Sequence, residues 1–219
     1  MAVPDAPGPD APGPDAPAPG DVSADGTAGR KRLSRRPVRA DAARNYDKLV
    51  VAAAELFHAD GVEVALDKVA AEAGVGIGTL YRHFPNRAAL VEATFRNYSD
   101  QIITDGWHAL ESGPADAALT GVFEAYMATA STKRGMKEAI LAAVGDEAPV
   151  FAEARDQSRD LMTAILLAGQ RDGVFRGDIE PADLSRLVGG LSMTCVAQDT
   201  AETRRRMVGL ILDGLRPRG

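Results

Sequence analysis

Residues 65–84 read ALDKVAAEAGVGIGTLYRHF. Leu66, Val69, Ala70 and Ala73 recur at helical spacing over two turns, and Gly74 ends the run. Ile77, Leu80 and Phe84 mark a second short helix, closed by Pro85. Two such helices joined by the turn Gly74 to Gly76 make a helix-turn-helix pattern, whose second helix enters a major groove about 12 Å wide and offers side chains to base edges. Apolar helix pairs with a glycine turn also occur in proteins that never meet DNA. The outward chemistry separates the two cases: Thr79, Tyr81, Arg82 and His83 are donors set around an inward Ile77, Leu80 and Phe84. Pro85-Asn86-Arg87 then opens another helix, whose first amides suit a phosphate.

Three short helices cannot close a core, so the neighbours of the motif must help. Upstream, Tyr46, Leu49, Val50, Ala53 and Phe57 recur every three or four residues until Gly61. Downstream, the helix from Asn86 supplies Leu90, Val91, Thr94, Phe95 and Tyr98. Beyond Gly113-Pro114 the pattern stays helical, and no alternating strand pattern of useful length occurs. Leu119, Val122, Phe123, Tyr126 and Met127 form one stripe, Met136, Ile140 and Val144 a shorter separate one, and Phe151, Ala154, Leu161, Met162, Ile165 and Leu166 a long third. After a turn from Gly173 to Pro181, Leu184, Leu187, Val188, Leu191 and Cys195 fall on one face, and Met207, Leu210, Ile211 and Leu215 on another. Two terminal apolar helices pack on each other or on a second copy's. The expected fold class is therefore all-α.

The chain has 219 residues and a net charge of −6, but the charge is unevenly spread. Residues 1–29 carry five Asp and no Lys or Arg, a net −5; residues 30–87 are +4 and residues 88–219 are −5. A basic surface for a polyanion can come only from the middle part. The first 20 residues hold 7 of the 13 prolines in a five-residue repeat, Pro4-Asp5-Ala6-Pro7-Gly8 and its successors, a composition that predicts a disordered spacer. Arg30-Lys31-Arg32, Arg35-Arg36 and Arg39 follow as a basic arm just before the first helix. No run approaches the roughly 20 apolar residues of a membrane span, and one cysteine, Cys195, allows no internal disulfide, so a cytoplasmic protein is expected. His58, His83 and His108 lack the local pairing of a helical metal site, and no nucleophile elbow, phosphate loop or paired metal ligands can be quoted. No catalytic residue, metal or cofactor is expected.

Together, "AAAELFHADG" (52–61) and "VAAEAGVGIGTLYRHFPNRAALV" (69–91) resemble the TetR family of bacterial transcriptional regulators, specifically over residues 45–95. The resemblance implies a three-helix DNA-binding head, with the next helix as connector, joined to a larger helical domain that binds an effector and dimerises through the last two long helices. On this chain that gives an arm at 1–40, a head at 41–86 with its motif at 65–84, and an effector and dimerisation domain at 87–219. The family's base and phosphate positions fall on Ile77, Gly78, Thr79, Tyr81 and His83, with Arg87 at the basic phosphate position. Arg82, Lys48 and Lys68 complete the expected DNA contacts. Where the family often opens the first motif helix with Ser or Thr, this chain has Ala65 and Leu66, so a cap worth about 1 kcal/mol is missing.

The expected partner is a double-stranded, palindromic DNA operator, bound by a homodimer joined through Leu184, Leu187, Leu191, Met207, Ile211 and Leu215, which would be nucleoid-associated when bound. Phe95, Tyr98, Trp107, Phe123, Tyr126, Met127, Phe151 and Met162 are the candidate effector contacts, and their character points to an apolar or amphipathic small molecule. Two other readings compete with a ligand-released repressor. An effector-free adaptor or nucleoid-associated protein would ignore small molecules, and a helical enzyme would show turnover.

Overall fold

The computed structural model describes residues 38–144, 148–194 and 200–217, with side chains excepted at 38, 39, 144 and 191–194. The proline repeat and the basic arm through Arg36 lie outside the described residues, as do Cys195 and the side chains of Arg39, Val144 and Leu191. Eight helices, and no strand, occur among the described residues. They are α1 (Val38–Asp60), α2 (Leu66–Glu72), α3 (Ile77–His83), α4 (Arg87–Ser112), α5 (Ala115–Val144), α6 (Pro149–Arg171), α7 (Pro181–Thr194) and α8 (Ala201–Leu215).

Helix α1 begins at Val38, three residues before the helical periodicity suggests, directly after Pro37 in the sequence. It buries Leu49, Val50, Ala53, Leu56 and Phe57, one stripe at helical spacing, and Gly61 ends it at φ +82°. Helix α2 buries Val69 and Ala70. Its exit is set by Gly74, whose φ of +66° is the left-handed conformation that glycine adopts without a Cβ clash. There the Gly74 and Val75 amides donate to the carbonyls of Ala71 and Ala70, which satisfies the open end of α2. Leu80 and Phe84 then seat α3 against α1 and α2. Neither motif helix has a side-chain N-cap: Ala65 and Gly76 occupy those positions. The pair is held by its packing.

Helix α4 joins two hydrophobic cores. Leu90, Val91 and Phe95 belong to a buried cluster with Leu49, Phe57, Leu80 and Phe84, and the same cluster takes in Met136 and Ile140 of α5 and Phe151 of α6. Ile102 and Ile103, farther along α4, belong to a second cluster with Leu119, Phe123, Leu161, Met162, Ile165 and Leu166. At Gly106 a Cβ would lie 2.5 Å from the Leu161 side chain and 2.8 Å from that of Val122, so the missing side chain sets the close approach of α4, α5 and α6. The N-terminus of α4 is capped by Asn86, whose side chain accepts from the Ala89 amide at 2.9 Å. One of the amides expected to suit a phosphate is thereby occupied.

Two sequence expectations change in the bundle. The stripes around Phe123 and Ile140 belong to a single helix of 30 residues, α5. They look separate because Thr132, buried, and Lys133 interrupt the apolar pattern. In the terminal helices, Leu184, Val188, Val208 and Leu215 are buried, whereas Leu187 and Leu210 are 43% and 69% exposed. Among the described residues α7 packs on α5 and α6, and α8 on α5.

Arg87, expected on a phosphate, instead donates from Nη1 to the carbonyls of Val62 and Val64 at 2.6 and 2.7 Å. It ties the α1–α2 loop to the start of α4. Charged hydrogen bonds contribute about 1.5 to 3 kcal/mol each, and the freed carbonyls can partly rehydrate. Arg87→Ala is expected to lower stability by roughly 2 kcal/mol in urea unfolding monitored by circular dichroism.

Candidate nucleic-acid interface and ligand cavity

The outer face of α3 carries Ile77, Gly78, Tyr81 and Arg82, all exposed, with Thr79 half-buried beside them. Tyr81 is 50% exposed, so its phenol reaches solvent from a helix whose other side, at Leu80, is fully buried. Ile77, read from the sequence as inward, is 37% exposed and stands on the outer face. A thymine methyl is the base feature such a side chain can touch. His83 is half-buried and stacks edge-on against Tyr46, 6.1 Å between ring centroids, while Tyr46 packs on Phe84 at 5.0 Å. The histidine thus helps seat α3 on α1.

The remaining basic candidates sit in different electrostatic settings. Lys68 pairs with Asp60 at 2.5 Å, both partners being exposed, an arrangement worth little to stability and open to exchange for a phosphate. Lys48 is exposed beside a shallow hollow that Asp47, Glu55 and Glu72 also line, surroundings that repel a phosphate.

Below the head, at the seam of the two cores, lies a cavity of two adjoining chambers. One, of about 460 Å³, is lined by Phe95, Tyr126, Ala130, Lys133, Arg134, Lys137, Glu138 and Leu141. The other, of about 400 Å³, shares Phe95, Tyr126, Lys133 and Lys137 and adds residues of α6 and α7, among them Phe151, Arg155, Ser158, Arg159 and Arg186. Both are in the size range of small-molecule sites. Of the candidate effector contacts, Phe95, Tyr126 and Phe151 line the chambers, with Phe95 and Phe151 edge to face at 5.3 Å. The others do not. Tyr98 donates its hydroxyl to the Ala54 carbonyl of α1 at 2.9 Å. Phe123, Met127 and Met162 are buried in the second core, and Trp107 is partly exposed away from both chambers.

Lys133 is the cavity residue that sequence reading misses. Its ammonium lies 5.1 Å from the Phe95 ring centroid and 5.0 Å from that of Tyr126, and it donates to Ser99 Oγ of α4 at 3.1 Å. Burial lowers its pKa from 10.5 to about 8, and among the described residues no carboxylate lies within ion-pair distance to oppose that shift. The available signal was the break in the α5 stripe: a polar residue at an inward position of a long amphipathic helix. On the adjacent turn surface, Thr132 Oγ1 meets His58 Nδ1 of α1 at 3.0 Å. The pocket helix therefore touches the end of α1 directly.

Residues 49–94 match the profile described as bacterial regulatory proteins, tetR family, and residues 114–217 match that of the transcriptional regulator SbtR-like C-terminal domain. The crystal structure of the TetR transcriptional regulator SCO0520 from Streptomyces coelicolor superposes with a TM-score of 0.69 at 33% identity, over 80% of this chain and 99% of that one. A TetR transcription regulatory protein from Mycobacterium vanbaalenii gives 0.67 at 31% identity, over 83% and 100%. The HTH-type transcriptional repressor KstR2 of Rhodococcus jostii is 26% identical over 182 residues, 77% of this chain and 89% of the relative. The chain belongs to the TetR family: it is a DNA-binding, helix-turn-helix transcriptional regulator. No helix among the described residues is long and apolar enough to cross a membrane, and no group of three His, Cys, Asp or Glu is placed to hold a metal ion.

Two outcomes follow from this geometry. A Cβ on Gly78 would meet nothing within 4 Å in the free protein, and alanine favours helix over glycine by about 1 kcal/mol. Gly78→Ala should therefore raise the melting temperature while weakening operator binding, measured by fluorescence anisotropy, if α3 approaches DNA closely there. Lys133 binds its proton more weakly in the folded chain than in the unfolded one, so its burial costs stability in full below about pH 8, and that cost fades as pH rises toward 10.5. Lys133→Met should stabilise the ligand-free protein at neutral pH by roughly 1 to 3 kcal/mol, the ring contacts offsetting part of the desolvation, and this advantage should shrink across the same pH window in denaturant titrations.

Proposed function

We propose that this regulator is a ligand-responsive repressor that binds a palindromic operator as a homodimer and is released by a small molecule in the two-chambered cavity. The observation that carries the reading is that cavity wall and head core are one structure: Phe95 and Phe151 line the chambers and belong to the same buried cluster as Leu49, Phe57 and Leu80. A ligand that spreads those two rings would strain the cluster on which the motif is seated. Tyr98 to Ala54 and Thr132 to His58 supply two further ties between bundle and head. Repression is supported by the Rhodococcus relative, which is named a repressor.

In this reading Ile77, Gly78, Thr79, Tyr81 and Arg82 face the bases, and Lys68 reaches a phosphate by exchanging Asp60 for it. His83 and Arg87 hold the motif in position, and Lys48 has a lesser part. The head at 41–86 and the effector and dimerisation region at 87–219 share α4 as their joint. The dimer face is built on α7 and α8, where exposed Leu187 and Leu210 leave apolar surface that a second copy would cover. Two heads are needed because successive major grooves recur about every 34 to 36 Å on one side of DNA. A chain of this kind works on the chromosome.

A ligand can shift operator binding only by its difference in affinity for the two arrangements of the heads, typically about 1 to 3 kcal/mol, or roughly 5- to 150-fold. Tyr81→Ala should cost specific operator binding about 1 to 3 kcal/mol and leave random DNA nearly unaffected. Equal losses on both would remove Tyr81 from base reading. Sedimentation at micromolar concentration should show a dimer, and Leu187→Glu with Leu210→Glu should give a folded monomer that binds operator poorly.

A further inference from the structure

The cavity is electrically lopsided in a chain that is acidic overall. Six basic side chains line the two chambers, Lys133, Arg134, Lys137, Arg155, Arg159 and Arg186, against one acidic residue, Glu138. Arg159 and Arg186 are offset by Asp156 and Asp183 at the rim, at 2.9 and 3.3 Å. Among the described residues, Lys133, Lys137 and Arg155 have no carboxylate within ion-pair distance. Lys133 is held between two aromatic faces, an environment that desolvates its ammonium without neutralising it, and Lys137 lies 5.8 Å from the Phe151 ring centroid. Lys133 is largely buried, whereas Lys137 and Arg155 are exposed toward the mouth of the site; a desolvated cation without a counter-charge is costly, and an anionic ligand would supply the missing partner. The apolar rings around it would accept the rest of that ligand.

We propose that the effector is an amphipathic organic anion whose acid group pairs with Lys133, with Lys137 and Arg155 beside it, and whose apolar body lies on Phe95, Tyr126 and Phe151. This rests on the reading of the cavity as the effector site and narrows the expectation of an apolar or amphipathic ligand to one with negative charge. The titratable and charged groups that face Lys133 or line its chambers are Tyr126, Arg134, Lys137 and Glu138 of α5, Arg155 and Arg159 of α6, and Arg186 of α7; α4 presents the neutral Ser99. Pairing with an anion restores the proton that burial weakens.

The test uses the full chain with two fluorescent probes of the same ring skeleton, anilinonaphthalene sulfonate, an anion, and phenylnaphthylamine, which is neutral, and with decanoate against decanol as competitors. The sulfonate should bind saturably and at least about 10-fold more tightly than the neutral amine, and decanoate should displace it where decanol does not. Lys133→Met should remove that preference, and Lys133→Arg should keep most of it. Calorimetry near pH 8 in buffers of different ionisation enthalpy should show proton uptake on sulfonate binding by the native chain and none by Lys133→Met. If Lys133→Met does not fold, the probe pair and the proton uptake of the native chain decide alone. Equal affinity for both probes, an unchanged preference in Lys133→Met, or no saturable sulfonate binding up to about 1 mM overturns the proposal. Sulfonate binding that needs Lys133 but leaves operator affinity unchanged would sustain the anion site and end the ligand-gated reading. Release of operator by a neutral compound, indifferent to Lys133→Met, would do the reverse.

Discussion

One helix is buried in two cores. Helix α4 puts Leu90, Val91 and Phe95 into the cluster beneath the recognition helix and Ile102 and Ile103 into the cluster of the bundle. Short helices such as α2 and α3, without side-chain caps, have no stability of their own and take their geometry from whatever they pack on. That support is α1, on which both short helices pack and which itself packs on α4, so the helix that walls the cavity reaches the motif through α1 and the buried cluster they share.

The cavity sits where the two clusters meet because apolar packing stops there. Ser99 and Thr132, both buried, and Lys133 occupy inward positions of α4 and α5, and a polar side chain cannot fill space as a leucine does without finding a partner. Thr132 finds His58, Ser99 finds Lys133, and Lys133 finds two ring faces. The hydrogen bonds and ring contacts tolerate the polar groups, but they leave the desolvated ammonium, whose hold on its proton burial weakens, without an opposite charge among the described residues. The site is therefore a point of stored electrostatic cost, located on the elements that carry the head.

Much of this was legible in the residues and some was not, for physical reasons. The all-α class, the motif helices and the turn at Gly74 were readable because apolar period and a positive-φ glycine are local signals. Of the residues expected to meet an effector, Phe95, Tyr126 and Phe151 line the cavity, whereas Phe123, Met127 and Met162 are core, since an aromatic or Met on an inward face looks the same in either setting. The role of Arg87 was hidden because its partners are backbone carbonyls at Val62 and Val64, which leave no mark on residue type. Lys133 is not legible in the sequence because the interruption it makes in α5 imitates a gap between two helices.

Gly106 gives the connector a fulcrum. The close approach there, with Leu161 and Val122 where a Cβ would be, resists sliding of α4 along its neighbours. In the proposed response to ligand, a tilt of α4 about that point is the motion that moves its head end most. From Gly106 back to Arg87 the helix runs about 28 Å at 1.5 Å per residue, so an angular change of about 5° would carry its head end through roughly 2 to 3 Å. In the proposed dimer, two copies moving oppositely would double the change in separation of their α3 helices. Under that proposal, a displacement at Phe95, about halfway along this arm, would be magnified nearly twofold at the head.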